Sequence, residues 1–312
     1  MIALAPGKVN ELHTGILRWY GRHRRDLQWR STTDPYEILV SEVMLQQTQV
    51  ARVQEKLPLF LKIFPTMRAL ARSSNAGVIR AWQGMGYNNR AVRLRRLAQS
   101  VVNDHDAILP TDLNRLLSLP GVGPYTAYAL SCFAFRRRVP VVDVNVRRVL
   151  SRLIWKMRNP AEVRDEKEIW TLADRLLPRR AYAWNQALMD LGATICIARK
   201  PLCSLCPVRA SCGSSHLGGG VFSRGSSKPF RVPEPSYDGI PRRIWRGKII
   251  QRLRTLKSGG SISLIDLGKS VKHGFRKTDR PWLLNLVQRL EQEGLLSIQT
   301  RSTNTMVSLS LE

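Results

Sequence analysis

Leu116–Ala127 reads LLSLPGVGPYTA. Its first half closes an apolar-periodic run expected as a helix over 113–118, its middle is the turn Pro120-Gly121-Val122-Gly123, and Pro124 opens a second helix expected over 124–135. Two helices coupled this tightly make a hairpin. Gly121 and Gly123 let its backbone turn sharply and leave amide donors exposed beside a helix N-terminus, where a phosphate can be gripped without any base being read. A Gly-Val-Gly turn is most often only a turn, so its weight depends on the charge around it.

That charge is large. The 312 residues hold 50 Lys and Arg against 23 Asp and Glu, a formal net charge of +27, and the excess is spread over both the first 212 residues and the remainder. A polyanionic partner is expected, and an ordinary metabolic enzyme is not. With 43% apolar residues the chain can bury a core, so wholesale disorder is excluded. No window approaches a membrane-spanning apolar run, and MIALAPGKVNELH lacks the basic and apolar regions of an export signal. An unexported protein without membrane attachment is expected.

Working outward from the hairpin, the pattern up to residue 212 is helical. Asp34 and Pro35 cap and open a helix reaching about Leu45, and others are expected near 49–63, 75–84, 89–104, 146–156, 165–176 and 182–195. Residues 213–239, rich in Gly, Ser and Pro, read as a linker. From 240 onward, helices at 241–256, 263–271 and 279–293 are followed by alternating runs at 295–300 and 306–311, a winged-helix pattern with 279–293 in the recognition-helix position. A small packing module with no groove contact fits the same pattern. The expected fold is therefore mostly α over 1–212, with a small α+β domain over 240–312.

Cys196, Cys203, Cys206 and Cys212 form C-x6-C-x2-C-x5-C, while Cys132 stands apart in an apolar stretch. In a reducing compartment such a cluster is better read as a metal site than as two disulfides. Four thiolates suit tetrahedral zinc or a cubane iron-sulfur cluster, and the centre can be no more than a staple for the fold. Two carboxylates also stand out. Glu42 lies in the apolar stripe of its helix, where desolvation favours a proton-donating form; the plainer reading pairs it with a buried arginine such as Arg30. Asp143 follows an apolar run and precedes Asn145 and a basic helix, so it is equally a helix cap.

Together the LPGVG hairpin, an aspartate about twenty residues beyond it, and the cysteine loop resemble the helix-hairpin-helix DNA glycosylase superfamily, in its iron-sulfur branch. Ser41–Val50 (SEVMLQQTQV), Trp29-Arg30, Gly84–Tyr87 and Asn185–Gly192 (NQALMDLG) are similar to the adenine glycosylases of the MutY type. The resemblance runs over roughly residues 12–212.

It implies two helical lobes, a [4Fe-4S] cluster on the loop 196–212, and double-stranded DNA holding a mismatched or oxidised base pair as partner. The enzyme would act as a monomer, cytoplasmic and associated with the nucleoid. The target nucleotide would be everted from the duplex. By the same resemblance Glu42 is the general acid that protonates adenine N7, and Asp143 the carboxylate that stabilises the cationic sugar. Tyr125 and Asn145 line the sugar side of the pocket, Trp29, Arg30 and Asp190 the base side, and Gln47, beside Thr48, fills the vacated stack. Gly121 and Gly123 hold phosphate, and Tyr87 belongs to the DNA-facing loop. Tyr125 stands where strand-cleaving relatives have a Schiff-base lysine, so a monofunctional hydrolytic glycosylase is implied.

The chain departs from that pattern in its C-terminal region, where MutY-type enzymes usually carry a Nudix-like domain, and in Asp143-Val144-Asn145, Asn88 and Asp190. A thymine or uracil mismatch glycosylase on the same scaffold is the enzymatic alternative. A non-catalytic iron-sulfur DNA-binding regulator is the alternative of another class.

Overall fold

The computed structural model describes residues 5–157, 165–215, 234–301 and 304–312. In chain order the helices are α1 (Pro6–His23), α2 (Pro35–Leu45), α3 (Val50–Ile63), α4 (Met67–Ala71), α5 (Asn75–Ala81), α6 (Asn89–Asp104), α7 (Leu113–Ser118), α8 (Pro124–Phe133), α9 (Val144–Trp155), α10 (Glu166–Arg175), α11 (Ala181–Thr194), α12 (Arg242–Arg254), α13 (Leu264–Val271) and α14 (Arg280–Gln292). The strands are β1 (Ser236–Tyr237), β2 (Ile240–Pro241), β3 (Ser261–Ser263), β4 (Leu296–Arg301) and β5 (Asn304–Leu309). Among the described residues no helix is long and apolar enough to cross a membrane.

The chain divides into two units: Met1–Ile38 with Thr111–Leu117 and Val122–Arg231, and Leu39–Pro110 with Ser118–Gly121 and Val232–Glu312. In the first, α1 packs on α11, and α11 on α9 and α8. Its core joins Leu12, Ile16 and Tyr20 of α1 to Val149 and Leu153 of α9 and to Trp184 and Leu188 of α11. Gly192 marks the α9–α11 crossing, since a Cβ there would stand 2.7 Å from the Asn145 Cβ, closer than packed carbon atoms tolerate. Sequence patterning did not anticipate α1, although Leu12, Ile16 and Tyr20 recur at the helical i, i+4, i+8 spacing behind Pro6.

In the second unit α6 packs against α4 and α5, whose starts are capped by Thr66 and Ser74 hydroxyls accepting from Ala69 N–H and Gly77 N–H. The C-terminal elements follow as α12, β3, α13, α14, β4 and β5, with an antiparallel sheet of order β3-β5-β4 in which Val307 faces Ile262 and Ile298. This is the winged-helix order with one strand more than the sequence suggested, because the three residues of β3 are too few to show alternation. Residues 216–233, the middle of the stretch read as a linker, lie outside the described residues. Its far end forms the β1–β2 ribbon, with Tyr237 opposite Ile240.

The C-terminal elements share one apolar core with α5 and α6, through Ala76, Ile79 and Val92 against Trp245, Ile249 and Leu253. Two arginines lock this junction. Arg80 donates to the carbonyls of Arg254 and Leu256 at the end of α12, and Arg254 donates back to the Ile79 carbonyl and to Asn88 Oδ1. Burial, with the Arg80 charge second, pulls the Arg254 guanidinium down to about 10, so its carbonyl partners rather than a carboxylate hold it.

Candidate active site

Helix α2 is started by Asp34, whose side chain accepts from Tyr36 N–H at 2.8 Å, and by Pro35 at its first position. The helix carries Glu42 to a buried position, 3% exposed, between Val40 and Val43. After α2 the chain turns through Gln47, which is exposed in the left-handed region at φ +55. Tyr87 is likewise left-handed, at φ +43, and 54% exposed. One side chain organises both turns. Arg90 of α6 is buried and donates to the carbonyls of Val43, Met44, Gln46 and Met85 and to Thr48 Oγ1. Its guanidinium also lies 5.7 Å from the Tyr87 ring. Burial pulls Arg90 down to about 10.

Arg90 was not singled out from sequence. The available signal was an arginine on the apolar face of an amphipathic helix, in line with Leu94, Leu97 and Val101.

In the first unit Trp29 is buried in a short turn, Gln28–Arg30. Arg30 is itself largely buried. It forms a two-pronged bridge to Asp190, 2.8 Å on each side, and Arg25 Nε adds a third bond at 2.7 Å. Asp190 is fully buried and both its oxygens are engaged, so Arg30 and Asp190 hold each other. Burial raises the Asp190 carboxyl, but hydrogen bonds and charge from Arg30, then Arg25, outweigh it and hold the group below the usual carboxylate value of 3.8.

Asp190→Asn is expected to destabilise the fold by roughly 3–5 kcal/mol, because it leaves two arginine charges without their buried counterion. Denaturant unfolding measures this, and a loss below about 1 kcal/mol contradicts it. Since the folded value is depressed, the stabilisation is complete above the unfolded carboxyl pKa and fades as pH falls through the lower folded one.

Gly123, with extended backbone, precedes α8, and Tyr125 follows as its second residue, half-buried. Gly121 and Gly123 are both exposed, as the hairpin requires. Asp143 caps α9, accepting from the N–H groups of Asn145 and Val146 at 2.9 and 2.7 Å. Its other oxygen accepts from the Asn145 amide at 2.8 Å, and Asn145 Oδ1 accepts from Arg148. Arg148 donates onward to the carbonyls of Gly192 and Cys196, and Arg152, one turn later, to those of Ile197 and Ala198. Capping and site geometry coincide at Asp143. The two arginines, not singled out from sequence, fasten the cysteine loop to the helix that Asp143 starts.

Cys196, Cys203, Cys206 and Cys212 are free thiols that line one cavity, with Val149, Leu153, Leu191 and Ile195 among its apolar walls. Among the described residues no group of His, Cys, Asp or Glu forms a site for a single metal ion. Burial pushes the Cys206 thiol up to about 12, partly offset by the Val208 backbone and reinforced by the other three cysteines. A bare thiolate is therefore disfavoured there, and a cationic inorganic group is what would stabilise four of them together. The donor set fits such a group.

Each unit thus holds its own set: buried Glu42 in one, with the turns of Gln47, Thr48 and Tyr87 about Arg90, and Trp29, Arg30 and Asp190, Tyr125, the Asp143–Asn145 pair and the cysteines in the other. Residues 40–175 match the HhH-GPD superfamily of base excision DNA repair proteins. The chain is 43% identical over 247 residues to the adenine DNA glycosylase of Mycobacterium tuberculosis, covering 77% of this chain and 78% of that one. It is 41% identical over 244 residues to the adenine DNA glycosylase of Mycolicibacterium smegmatis, covering 77% and 79%. Among solved structures, that of a thermostable thymine-DNA glycosylase is 31% identical with a TM-score of 0.64, covering 68% of this chain and 98% of the other. By this identity over most of both chains, the protein belongs to the adenine DNA glycosylases of the HhH-GPD superfamily.

Proposed function

We propose that the protein hydrolyses the N-glycosidic bond of adenine mispaired with guanine or 8-oxoguanine in duplex DNA. The observation that carries this reading is the 43% identity to a curated adenine DNA glycosylase across most of both chains. The adenine leaves the stack, because the bond to be cut is hidden inside it. Glu42 gives its proton to N7, the electron pair of the breaking C1′–N9 bond moves into the purine, and neutral adenine departs. Asp143 is the anion that stabilises the resulting sugar cation, oriented by Asn145 and the start of α9. Water then adds to C1′ and loses a proton, leaving an abasic site.

Tyr125 supplies no amine, so no Schiff base forms and the strand stays intact. Gln47, exposed on a left-handed turn, enters the gap left by the everted base. Arg90 is a positioning residue that fixes the turns bearing Gln47 and Tyr87.

Cys196, Cys203, Cys206 and Cys212 would hold a [4Fe-4S] cluster, which when bound supplies a structural anchor for the loop between α11 and residue 213. Protein purified without oxygen is expected to carry about four iron atoms per chain, and Cys206→Ser to lose iron and DNA affinity together. Zinc in place of iron contradicts the assignment.

The test of the activity is to incubate the protein with duplexes holding A:8-oxoguanine, A:G, A:C, T:G or U:G, identify the free base, and look for nicks before and after alkali. Free adenine, with nicks only after alkali, supports the reading. Free thymine, in keeping with the structural relative, overturns it in favour of the pyrimidine alternative.

A further inference from the structure

Three features of the second unit lie in series. At the hairpin tip Gly121 turns at φ +83, and a Cβ built on it would meet the Arg93 Cβ at 3.7 Å, so the exposed tip rests against α6 at Arg93. One turn earlier on the same face of α6 stands Asn89. Asn89, with Tyr87 and Asn88, lines a cleft of about 550 Å³ whose opposite wall is the first turns of α12, with Arg242, Arg243 and Arg246.

The cleft is polar at its rim and apolar at its floor, formed by Ile250, Leu290 and Leu295. Arg246 is bound to Glu293 and Arg243 to Glu234. Arg93 is exposed, and Arg242 is half-buried at the cleft, where its charge also acts on Glu234. At the first turn of α14, the position from which a winged helix reads bases, Arg280 and Pro281 are exposed and Trp282 is half-buried. Tyr237 stacks on Trp282 with ring centroids 4.0 Å apart and donates its hydroxyl to Asp279, which also receives Lys272.

We propose that Arg93, Asn89 and Arg242, with Arg243 at the rim, form a backbone track that continues the hairpin's phosphate grip along a DNA strand. The C-terminal elements then add affinity through α12. The exposed Arg93, the Arg242 cation, a hydrogen-bonding amide and the exposed Tyr87 ring suit a sugar-phosphate strand, which presents an anion at every nucleotide. The inference rests on DNA being the substrate, not on which base is removed.

The test is binding of the full chain to a fully paired duplex across a salt series. Arg93→Ala combined with Arg242→Ala is expected to weaken binding roughly tenfold and to flatten the slope of log K against log salt by about 2, one phosphate contact for each arginine. Arg93→Lys with Arg242→Lys restores most of the slope, because the charge remains. Should the alanine variant fold poorly, glutamine at both positions carries the same test. An unchanged slope, or lysine variants as weak as alanine, overturns the track. Because the readout is binding to undamaged duplex, a protein that releases thymine instead of adenine would overturn the proposed activity and leave this result standing.

Discussion

Glu42→Gln is expected to lower single-turnover adenine release by about 10²- to 10⁴-fold while mismatch binding persists. The position accounts for both halves of that outcome. Glu42 is 3% exposed in the middle of an eleven-residue helix, so an isosteric amide fits the same space and the fold is kept. What the amide cannot do is hand over a proton, and departure of an unprotonated purine anion is far costlier. Rate and affinity measured on one mismatched duplex check the claim. A variant retaining more than about a tenth of the rate removes Glu42 from the acid role, and one that loses rate and affinity in step makes it a packing residue.

Asp143→Asn is expected to slow release by about 10²- to 10³-fold, comparable to losing a preorganised electrostatic stabiliser, with a melting temperature close to the parent's. The separation follows from the two jobs of this side chain. As a cap it accepts from Asn145 and Val146 N–H groups, which asparagine does about as well. As an anion it faces developing positive charge, which asparagine cannot match. Asp143→Ala removes the cap as well, so a further loss of about 0.5–2 kcal/mol of stability is expected. Thermal unfolding beside single-turnover kinetics separates the two substitutions, and equal stability losses for both contradict the double role.

Much of this was legible along the chain because it depends on near neighbours. The helix starts at Pro35 and Pro124, the Gly121–Gly123 turn, and the x6-x2-x5 cysteine spacing are local facts, and local chemistry enforces them. What escaped the sequence is held by distant partners. Arg30 and Asp190 are 160 positions apart, so their mutual bridge could not be told from a contact between Arg30 and Glu42. Arg90, Arg148 and Arg152 bind backbone carbonyls, and a carbonyl has no residue-type signature, so nothing in the pattern marks such an arginine as a hub. For the same reason the sharing of one core by α5, α6 and the C-terminal helices was invisible where a linker-like composition precedes them.

The central claim is that Glu42 and Asp143 act on one nucleotide in one bond-breaking event. Single-turnover release by the Glu42→Gln/Asp143→Asn double variant tests it most directly. Groups that work as a unit are non-additive, so the double variant is expected to be about as slow as the slower single one. A rate reduced by the product of the two single effects would mean that the carboxylates contribute independently, and would contradict the account.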